Sequence, residues 1–227
     1  MNLATVVQHA SRSFLMPQTT PTVFVVDDDI SVRESLESLI RCAGWRPEVF
    51  ASAEEFLSYP RTPIPSCLVL DVGLPDLNGL DLQKRITLER IDIPIIFITG
   101  AGDIPMSVQA MKAGAVEFLE KPVSEDVLLG VIGNAIERSQ VTLGHQEKMR
   151  AFRDNYASLT RREQQVMALV VTGRLNKQIG GELGISVITV KTHRGNVMRK
   201  MKADSFAHLV NMASRLRVVR YLTTSAA

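Results

Sequence analysis

Apolar residues in the first half of the chain occur in five short and almost uninterrupted runs. These runs are Thr22–Val26, Pro47–Phe50, Cys67–Leu70, Ile93–Ile98 and Ala115–Leu119. Continuous apolar character is typical of strands that are buried on both faces of a parallel sheet. The pattern therefore predicts a sheet of five parallel strands.

Amphipathic segments separate the predicted strands. In the first segment, apolar residues at helical spacing predict one buried face: Val32, Leu36, Leu39, Ile40 and Ala43. Further helices are predicted over Leu80–Glu89, Ile104–Ala113 and Glu125–Arg138. Ser31 with Glu34, and Ser52 with Glu55, have the spacing of capping boxes at two helix starts. This alternation predicts an α/β fold, a doubly wound five-stranded parallel sheet.

The strand signals end after Arg138, and the domain organisation follows from this change. We expect residues 19–140 to form the α/β domain and residues 141–156 to form an exposed, helical linker. Residues 157–227 contain only short helical patterns and predict a small all-α domain. Residues 1–18 are expected to be a poorly ordered extension.

The balance of charged residues also changes near residue 140. Residues 18–140 contain 10 Lys and Arg against 19 Asp and Glu, whereas residues 141–227 contain 15 against 5. A basic domain is a natural candidate for binding a polyanion such as DNA. The alternative is that the basic domain docks on the acidic one, and charge alone does not separate the two.

Composition narrows the class of protein. The chain is 45% hydrophobic and 22% charged, which is ordinary for a packed protein, and no apolar stretch is long enough to cross a bilayer. Residues 1–18 do not have the pattern of a signal peptide. Cys42 and Cys67 cannot build a disulfide framework or a zinc finger. We therefore expect a reducing cytoplasm, with both thiols in the core.

Polar side chains stand where four predicted strands end: Asp27, Asp28, Asp71, Thr99, Glu120 and Lys121. Ligands of an open parallel sheet collect at this edge. Crowded carboxylates call for a cation such as Mg²⁺, and a lysine and a hydroxyl beside them would suit a phosphoryl group. The alternative for Asp28 or Asp29 is to cap the helix that begins near Ser31.

Four motifs at these strand ends resemble the receiver domain of two-component response regulators. They are VVDDD at 25–29, LVLDVGLPDLNG at 68–79, FITG at 97–100 and FLEKP at 118–122. The resemblance covers residues 21–140 and implies a flavodoxin-like fold. It also implies that Asp71 accepts a phosphoryl group from a sensor histidine kinase.

The resemblance further implies a metal site around the phosphoacceptor. Mg²⁺ (or Mn²⁺) would be held by Asp28, Asp71 and the backbone carbonyl of Gly73, with Asp27 assisting through water. The acyl phosphate formed on Asp71 would store free energy and later hydrolyse. Because this chemistry is stoichiometric, we do not expect an enzyme.

Three residues are implied to respond to the phosphoryl group. Lys121 would pair with its oxygens, and the peptide bond from Lys121 to Pro122 is often cis in this family. Thr99 and Phe118 resemble the switch pair, in which a hydroxyl moves to the phosphoryl group and an aromatic ring turns inward. Family members often carry Tyr where this chain has Phe118, so one hydrogen bond would be missing here.

The basic half carries a helix-turn-helix pattern. Three helices are predicted: Leu159–Val171, Asn176–Leu183 and a basic helix from Ser186 to about Lys202. Thr160 and Glu163 are spaced as a capping box, and Gly184 stands where a tight turn between helices requires it. The alternative is a small helical bundle with a solvated basic face.

The sequence of residues 156–220 resembles the LuxR/NarL-type DNA-binding domain through its LTRRE, GRLNKQI, ISVITVKTH and closing KM motifs. The third helix would enter the major groove, with Lys191, Thr192 and Gly195 at base edges. Residues implied to contact DNA at bases or phosphates are Lys177, Thr189, Lys191, Thr192, Arg194, Gly195, Asn196, Arg199 and Lys200. Gly180 departs from the family, which usually has Ala, and glycine inside a helix costs up to about 1 kcal/mol.

Together the two resemblances predict a phosphorylation-controlled transcription regulator, closest to the FixJ-like branch. Phosphorylation would favour a homodimer through the fourth helix, fifth strand and fifth helix, and the dimer would bind two half-sites of double-stranded promoter DNA. RNA polymerase is a further expected partner, and a membrane is not.

Two other functions stay open from the residues alone. An Asp-nucleophile phosphatase would turn over a phosphate ester, although such hydrolases usually carry a second Asp where this chain has Gly73. A receiver whose helical domain binds a protein would not select specific DNA from a random pool. Specific DNA binding that weakens steeply as the salt concentration rises would distinguish a transcription regulator from such a protein-binding receiver.

Overall fold

The computed structural model describes residues 20–75, 77–89, 91–100 and 104–218. The predicted extension at 1–18 lies outside these residues. The chain divides into two compact units between Leu143 and Gly144. The first unit is an α/β domain, and the second is helical.

The first unit alternates strands and helices. Its strands are β1 (Thr22–Val26), β2 (Arg46–Phe50), β3 (Ser66–Asp71), β4 (Ile95–Thr99) and β5 (Glu117–Glu120). Its helices are α1 (Ile30–Cys42), α2 (Ala53–Ser58), α3 (Gly79–Leu88), α4 (Ile104–Lys112) and α5 (Glu125–Ala157). The helix α5 continues past the division between the units and includes the segment predicted as a linker.

All neighbouring strands are parallel, in the order β2-β1-β3-β4-β5. This is the flavodoxin-like order, and it confirms the predicted fold class. β4 begins at Ile95 rather than Ile93, because Ile93 N–H donates to the carbonyl of Ile91 in a turn. The carboxyl ends of β1, β3, β4 and β5 meet at one edge, where the predicted site residues lie.

Successive residues of the central strands point to opposite faces of the sheet. Phe24 and Val26 of β1 belong to one apolar cluster, with helices α2, α3 and α4. Val23 and Val25 belong to the other, with α1 and α5. Both faces are therefore covered, which explains why the strands are almost continuously apolar.

The start of α1 differs from the prediction. The helix begins at Ile30, and the Asp29 carboxylate accepts a hydrogen bond from Ser31 N–H at 2.8 Å. The predicted capping box of Ser31 and Glu34 is therefore wrong, because Ser31 already lies inside the helix. The alternative role considered for Asp29, that of a helix cap, is the one observed.

The two cysteines have different environments. Cys67 lies fully buried in β3, and burial raises the pKa of its thiol to about 12. Cys42 is exposed at the end of α1. The expectation of two core thiols is thus right for Cys67 and wrong for Cys42, which falls on the solvent side of the last helical turn.

The second unit contains the predicted helical pattern. Its helices are α6 (Arg161–Val170), α7 (Asn176–Leu183), α8 (Val187–Met201) and α9 (Phe206–Arg215). Thr160 and Glu163 form the predicted capping box, and Ser186 caps α8. Gly184 has φ +65°, a left-handed conformation that glycine adopts without strain.

Helix α6 holds the two helices that follow it. The Arg162 guanidinium donates to the carbonyl of Leu183 at the end of α7. Glu163 is 3% exposed and accepts a hydrogen bond from the Lys200 ammonium of α8 at 2.6 Å. These two contacts join α6 to both helices of the helix-turn-helix.

The structure explains why residue 180 is a glycine, which the sequence alone did not. A Cβ atom at this position would lie 2.8 Å from the carbonyl oxygen of Ile185, in the turn between α7 and α8. The Ile185 N–H donates to the Gly180 carbonyl at 3.0 Å, so the two backbones are in close contact. Glycine at this position therefore lowers the stability of the helix but permits the close contact in the turn between α7 and α8.

We expect Glu163→Gln to make the second unit less stable by about 1–3 kcal/mol at neutral pH, because it removes the partner of Lys200. The hydrogen bond from Lys200 lowers the pKa of Glu163 to about 2, against the opposing effect of burial. The unfolded value is about 4.3. The stabilisation is therefore full above about pH 5 and is lost as pH falls through about 2.

Unfolding in denaturant at several pH values, followed by circular dichroism, measures this difference. Glu147→Gln, at an exposed position of α5, is the control and should show no such pH dependence. A gap between wild type and Glu163→Gln that stays constant from pH 7 to pH 2.5 would contradict the role of the ionised carboxylate.

Candidate functional site

One lysine joins the carboxylates of two strands at the edge of the sheet. Lys121, directly after β5, donates to Asp27 Oδ2 at 2.7 Å and to Asp71 Oδ1 at 2.9 Å. Asp27 follows β1 and is 3% exposed, and Asp71 ends β3 and is 8% exposed. Residues far apart in the sequence are thus brought together, as the strand-end pattern predicted.

The backbone places each of these groups. In the β4–β5 register Thr99 pairs with Glu120, and Lys121 N–H donates to the Thr99 carbonyl at 2.8 Å. The Lys121–Pro122 peptide bond is cis, as expected. The second carboxylate oxygen of Asp71 accepts a hydrogen bond from the Gly73 N–H. Both Asp71 oxygens therefore have donors in this structure.

The charges at this site favour a protonated lysine. Burial by itself would lower the pKa of Lys121, but the hydrogen bonds and charges of Asp27 and Asp71 outweigh it and raise the pKa above its usual value. The raised pKa favours the protonated, positively charged form of the ammonium group. A fixed positive charge beside a carboxylate is suited to an incoming phosphoryl group.

The loop after β1 presents a second acidic group. Asp28 is exposed, and no described residue donates a hydrogen bond to its carboxylate. The Asp27 carboxylate accepts a hydrogen bond from Asp29 N–H at 2.9 Å. Arg33 of α1 donates to the Asp27 carbonyl at 2.6 Å. These bonds fix the loop on both sides of Asp28.

The donor set is compatible with a hydrated divalent cation. Among the described residues, no group of three or more Asp, Glu, His or Cys side chains is arranged as a ready metal cluster. Mg²⁺ does not require one, because it binds through one or two carboxylates and keeps several waters. The exposed carboxylate of Asp28, which follows Asp27 directly in the sequence, is an oxygen ligand of the kind that Mg²⁺ prefers.

Two glycines permit the close packing around Asp71. A Cβ on Gly79, the first residue of α3, would lie 2.5 Å from the Asp71 carbonyl oxygen. A Cβ on Gly73 would lie 3.1 Å from the Asp71 carboxylate. The start of α3 therefore touches the backbone at the end of β3 directly, and Gly79 N–H donates to the Val72 carbonyl at 3.0 Å.

The two predicted switch residues lie near this edge. Thr99 is buried at the end of β4. Phe118 of β5 is half-buried, and its ring centroid is 6.0 Å from that of Phe97 in β4. Phe118 thus has an aromatic neighbour on the adjacent strand and an incompletely buried ring.

In the second unit, α8 separates buried from exposed residues. Val190, Val197 and Met201 are buried on one side. Several residues predicted to contact DNA are exposed on the other: Lys191, Thr192, Gly195 and Arg199. Lys177 is exposed on α7. The helix thus presents a polar, basic face to solvent, which the helix-turn-helix prediction requires.

Other predicted DNA residues are engaged within the unit. The Lys200 ammonium binds Glu163, and Arg194 donates to Asn176 Oδ1 at 2.6 Å. The Thr189 hydroxyl lies 2.8 Å from that of Ser186. Asn196 is half-buried, 3.5 Å from the Arg199 guanidinium. Lys200 therefore supports the domain, and we leave it out of the proposed DNA surface.

Sequence reasoning missed the supporting residues. Arg33 and Arg162 are charged residues of amphipathic helices, and a sequence does not indicate which backbone carbonyl such a charge contacts. Gln83 is 2% exposed and donates to the Ala110 carbonyl at 3.1 Å, joining α3 to α4. Ser139 of α5 is buried and accepts from Ser66 N–H at 3.0 Å. A polar residue at a helical core position is the one signal that could have indicated Gln83.

Comparison with protein families gives two matches. Residues 23–133 match the response regulator receiver domain, and residues 157–213 match the bacterial regulatory proteins of the luxR family. The two matches fall in the first and second units, respectively. Among the described residues, none of the helices is long and apolar enough to span a membrane.

Several known proteins are similar over most of their length. Nodulation protein W of Bradyrhizobium diazoefficiens is 48% identical over 200 residues, which cover 88% of each chain. The transcriptional regulatory protein FixJ of Rhizobium meliloti is 42% identical over 195 residues, 86% of this chain and 96% of that one. Among solved structures, the response regulator StyR is 47% identical with a TM-score of 0.79, covering 87% of this chain and all of that chain.

We expect Gly79→Ala to destabilise the first unit by about 1–3 kcal/mol, because the added methyl group would overlap the Asp71 carbonyl. The matched control is Gly130→Ala in α5, where an added Cβ meets nothing within 4 Å. Removing this helical glycine should instead stabilise the unit by about 0.5–1 kcal/mol. Fluorescence of Trp45, the single tryptophan, reports the unfolding of this unit. Equal midpoints for the two variants would contradict the close contact.

Proposed function

We propose, since this chain belongs to the response regulators that carry a receiver domain followed by a LuxR-type DNA-binding domain, that a phosphoryl group on Asp71 controls its binding to promoter DNA. Members of this family are transcription regulators and not enzymes. The observation that carries the proposal is the bridge from Lys121 to Asp27 and Asp71. It puts a cation next to a carboxylate nucleophile at the carboxyl edge of a parallel sheet.

The proposed chemistry is a phosphoryl transfer from a histidine of a sensor kinase. One Asp71 oxygen attacks phosphorus as the bond from phosphorus to the histidine nitrogen breaks, and the imidazole leaves with the electron pair. Lys121 and the Gly73 N–H stand beside the two Asp71 oxygens and can follow the negative charge onto the phosphoryl group. Mg²⁺, held by Asp28, Asp71 and the Gly73 carbonyl, with Asp27 assisting through water, would neutralise further charge.

The proposed switch uses Thr99 and Phe118. The carbonyl of Thr99 accepts a hydrogen bond from the Lys121 N–H. A shift of the Thr99 hydroxyl would therefore be coupled to the phosphoryl site. Phe118 has room to move because its ring is not fully buried. Rotation of this ring would change the surface between α4 and β5. The absence of a phenol hydroxyl removes one bond but does not prevent the movement.

An apolar stripe on α4 supports dimerisation at that surface. Ile104, Val108 and Met111 are 80%, 43% and 43% exposed and follow helical spacing. Val127 at the start of α5 is 50% exposed. These side chains have no core to fill within the unit, and a homodimer would bury them. Two copies would then present two helix-turn-helix units to two half-sites of DNA.

The exposed face of α8 supports DNA binding. Lys191 and Arg199 carry charge on this face, and Lys177 adds charge from α7. Phosphate contacts provide affinity, whereas contacts to bases provide sequence choice. Regulation of transcription also implies contact with RNA polymerase, which we propose as a partner without assigning a surface.

Incubation with Mg²⁺ and a small acyl phosphate should attach one phosphoryl group to the wild-type chain, and Asp71→Asn should abolish the addition. The matched control is Asp81→Asn, on the exposed side of α3, which should be labelled like the wild type. Intact-protein mass spectrometry measures the added mass. Equal labelling of Asp71→Asn would refute the assignment of the phosphoacceptor.

Val108→Asp should leave this labelling unchanged but keep the phosphorylated protein monomeric, because it puts a charge into the α4 stripe. Leu88→Asp is the control, since Leu88 is 82% exposed and belongs to α3 rather than to the α4 stripe. Light scattering before and after phosphorylation gives the mass of each variant. A Val108→Asp protein that dimerises as the wild type does would exclude α4 from the interface.

A further inference from the structure

One apolar side chain interrupts the polar face of α8. Ile188, the second residue of the helix, is 77% exposed. It lies three and four residues before Lys191 and Thr192, so all three share one side of the helix. Single exposed apolar residues are common and need no explanation by themselves. The position of Ile188 among the exposed residues that are proposed to contact DNA is what makes it informative.

The fold does not use the Ile188 side chain. Ser186 already caps the helix, with its hydroxyl accepting from Thr189 N–H at 3.1 Å. The next core position is Val190, which is fully buried. Isoleucine is also a poorer helix former than alanine because its branched side chain loses rotamer freedom. Neither local stability nor packing therefore explains an isoleucine here.

Thr192 adds to the apolar character of this patch. Its hydroxyl donates to the Ile188 carbonyl at 3.2 Å, one turn earlier. A hydroxyl proton committed to the helix backbone is not available to a base, which leaves Thr192 its methyl group and an acceptor. The Ile188 carbonyl, in turn, is tied to the same neighbour. The first exposed turn of α8 thus offers apolar contacts beside the ammonium of Lys191.

We infer that Ile188 is a specificity residue that contacts the 5-methyl group of a thymine in the major groove. The N-terminal residues of a recognition helix are those that reach base edges. Thymine is the base that presents a methyl group there, and apolar side chains recognise it by contact. Lys191, one turn further, would contact an adjacent base pair or phosphate. This inference rests on the proposed DNA binding and deepens it.

The test begins by selecting DNA from a random pool with the phosphorylated full chain. Each thymine of the selected half-site is then replaced by deoxyuridine, which removes the methyl group and nothing else. At one position this should weaken wild-type binding by about fourfold per half-site, the effect of one methyl group lost from contact. Fluorescence anisotropy at a fixed salt concentration measures the dissociation constants.

Two variants separate the contact from a general loss of affinity. Ile188→Ala should bind the thymine and deoxyuridine sites equally, because the branched part of the Ile188 side chain is removed and the remaining Cβ is too short to reach the methyl group. Leu88→Ala, which removes a similarly exposed apolar side chain from α3, should keep the fourfold difference. The coupling between residue and methyl group is thereby isolated.

The outcomes distinguish a failure of this inference from a failure of the proposed DNA binding on which it rests. Selection of a defined sequence, with a deoxyuridine effect that persists in Ile188→Ala or appears at no thymine, overturns the role of Ile188 and leaves DNA binding standing. A pool that yields no preferred sequence overturns both. A methyl effect present in wild type and Leu88→Ala and lost in Ile188→Ala supports the assignment.

Discussion

The ammonium group of Lys121 is the constraint on which the first unit's site depends. Two carboxylates of low exposure, Asp27 and Asp71, would repel one another without a cation between them. Lys121 supplies that cation from a third strand, and its own backbone is fixed by the Thr99 carbonyl. The order of the strands is therefore a condition for the chemistry. A slip of β5 against β4 would move Lys121 away from both partners.

The second unit depends on a similar buried charge pair, but with a structural purpose. Glu163 caps α6 and binds Lys200, while its neighbour Arg162 holds the end of α7. The motif that resembles a DNA-binding signature thus contains residues that build the unit as well as residues that face solvent. Charge on α8 alone therefore does not show which side chains are free to face solvent. Lys191 and Lys200 lie on the same helix, but Lys191 is exposed, whereas Lys200 binds Glu163.

The fold and the meeting of polar residues at one edge of the sheet could be predicted because they follow from periodicity and from strand ends. Apolar runs located five strands, and parallel order then brought Asp27, Asp71 and Lys121 to one edge. The details that failed involve competition between neighbouring polar residues. Asp29, rather than Ser31, caps α1. Either side chain suits a helix start, and the conformation of the loop before α1 determines which of the two becomes the cap. Close backbone contacts at Gly79 and Gly180 leave no periodic signal, so only the structure reveals them.

Helix α1 has one further consequence, which arises from its two ends. It begins beside the acidic loop and ends at Cys42, about 18 Å away at the rise of an α-helix. The other thiol, Cys67, is sealed in the sheet and stays protonated. The natural chain therefore carries a single accessible attachment point for a thiol-reactive dye. Optical reporters can be fixed there on the unmutated protein, remote from the acidic loop.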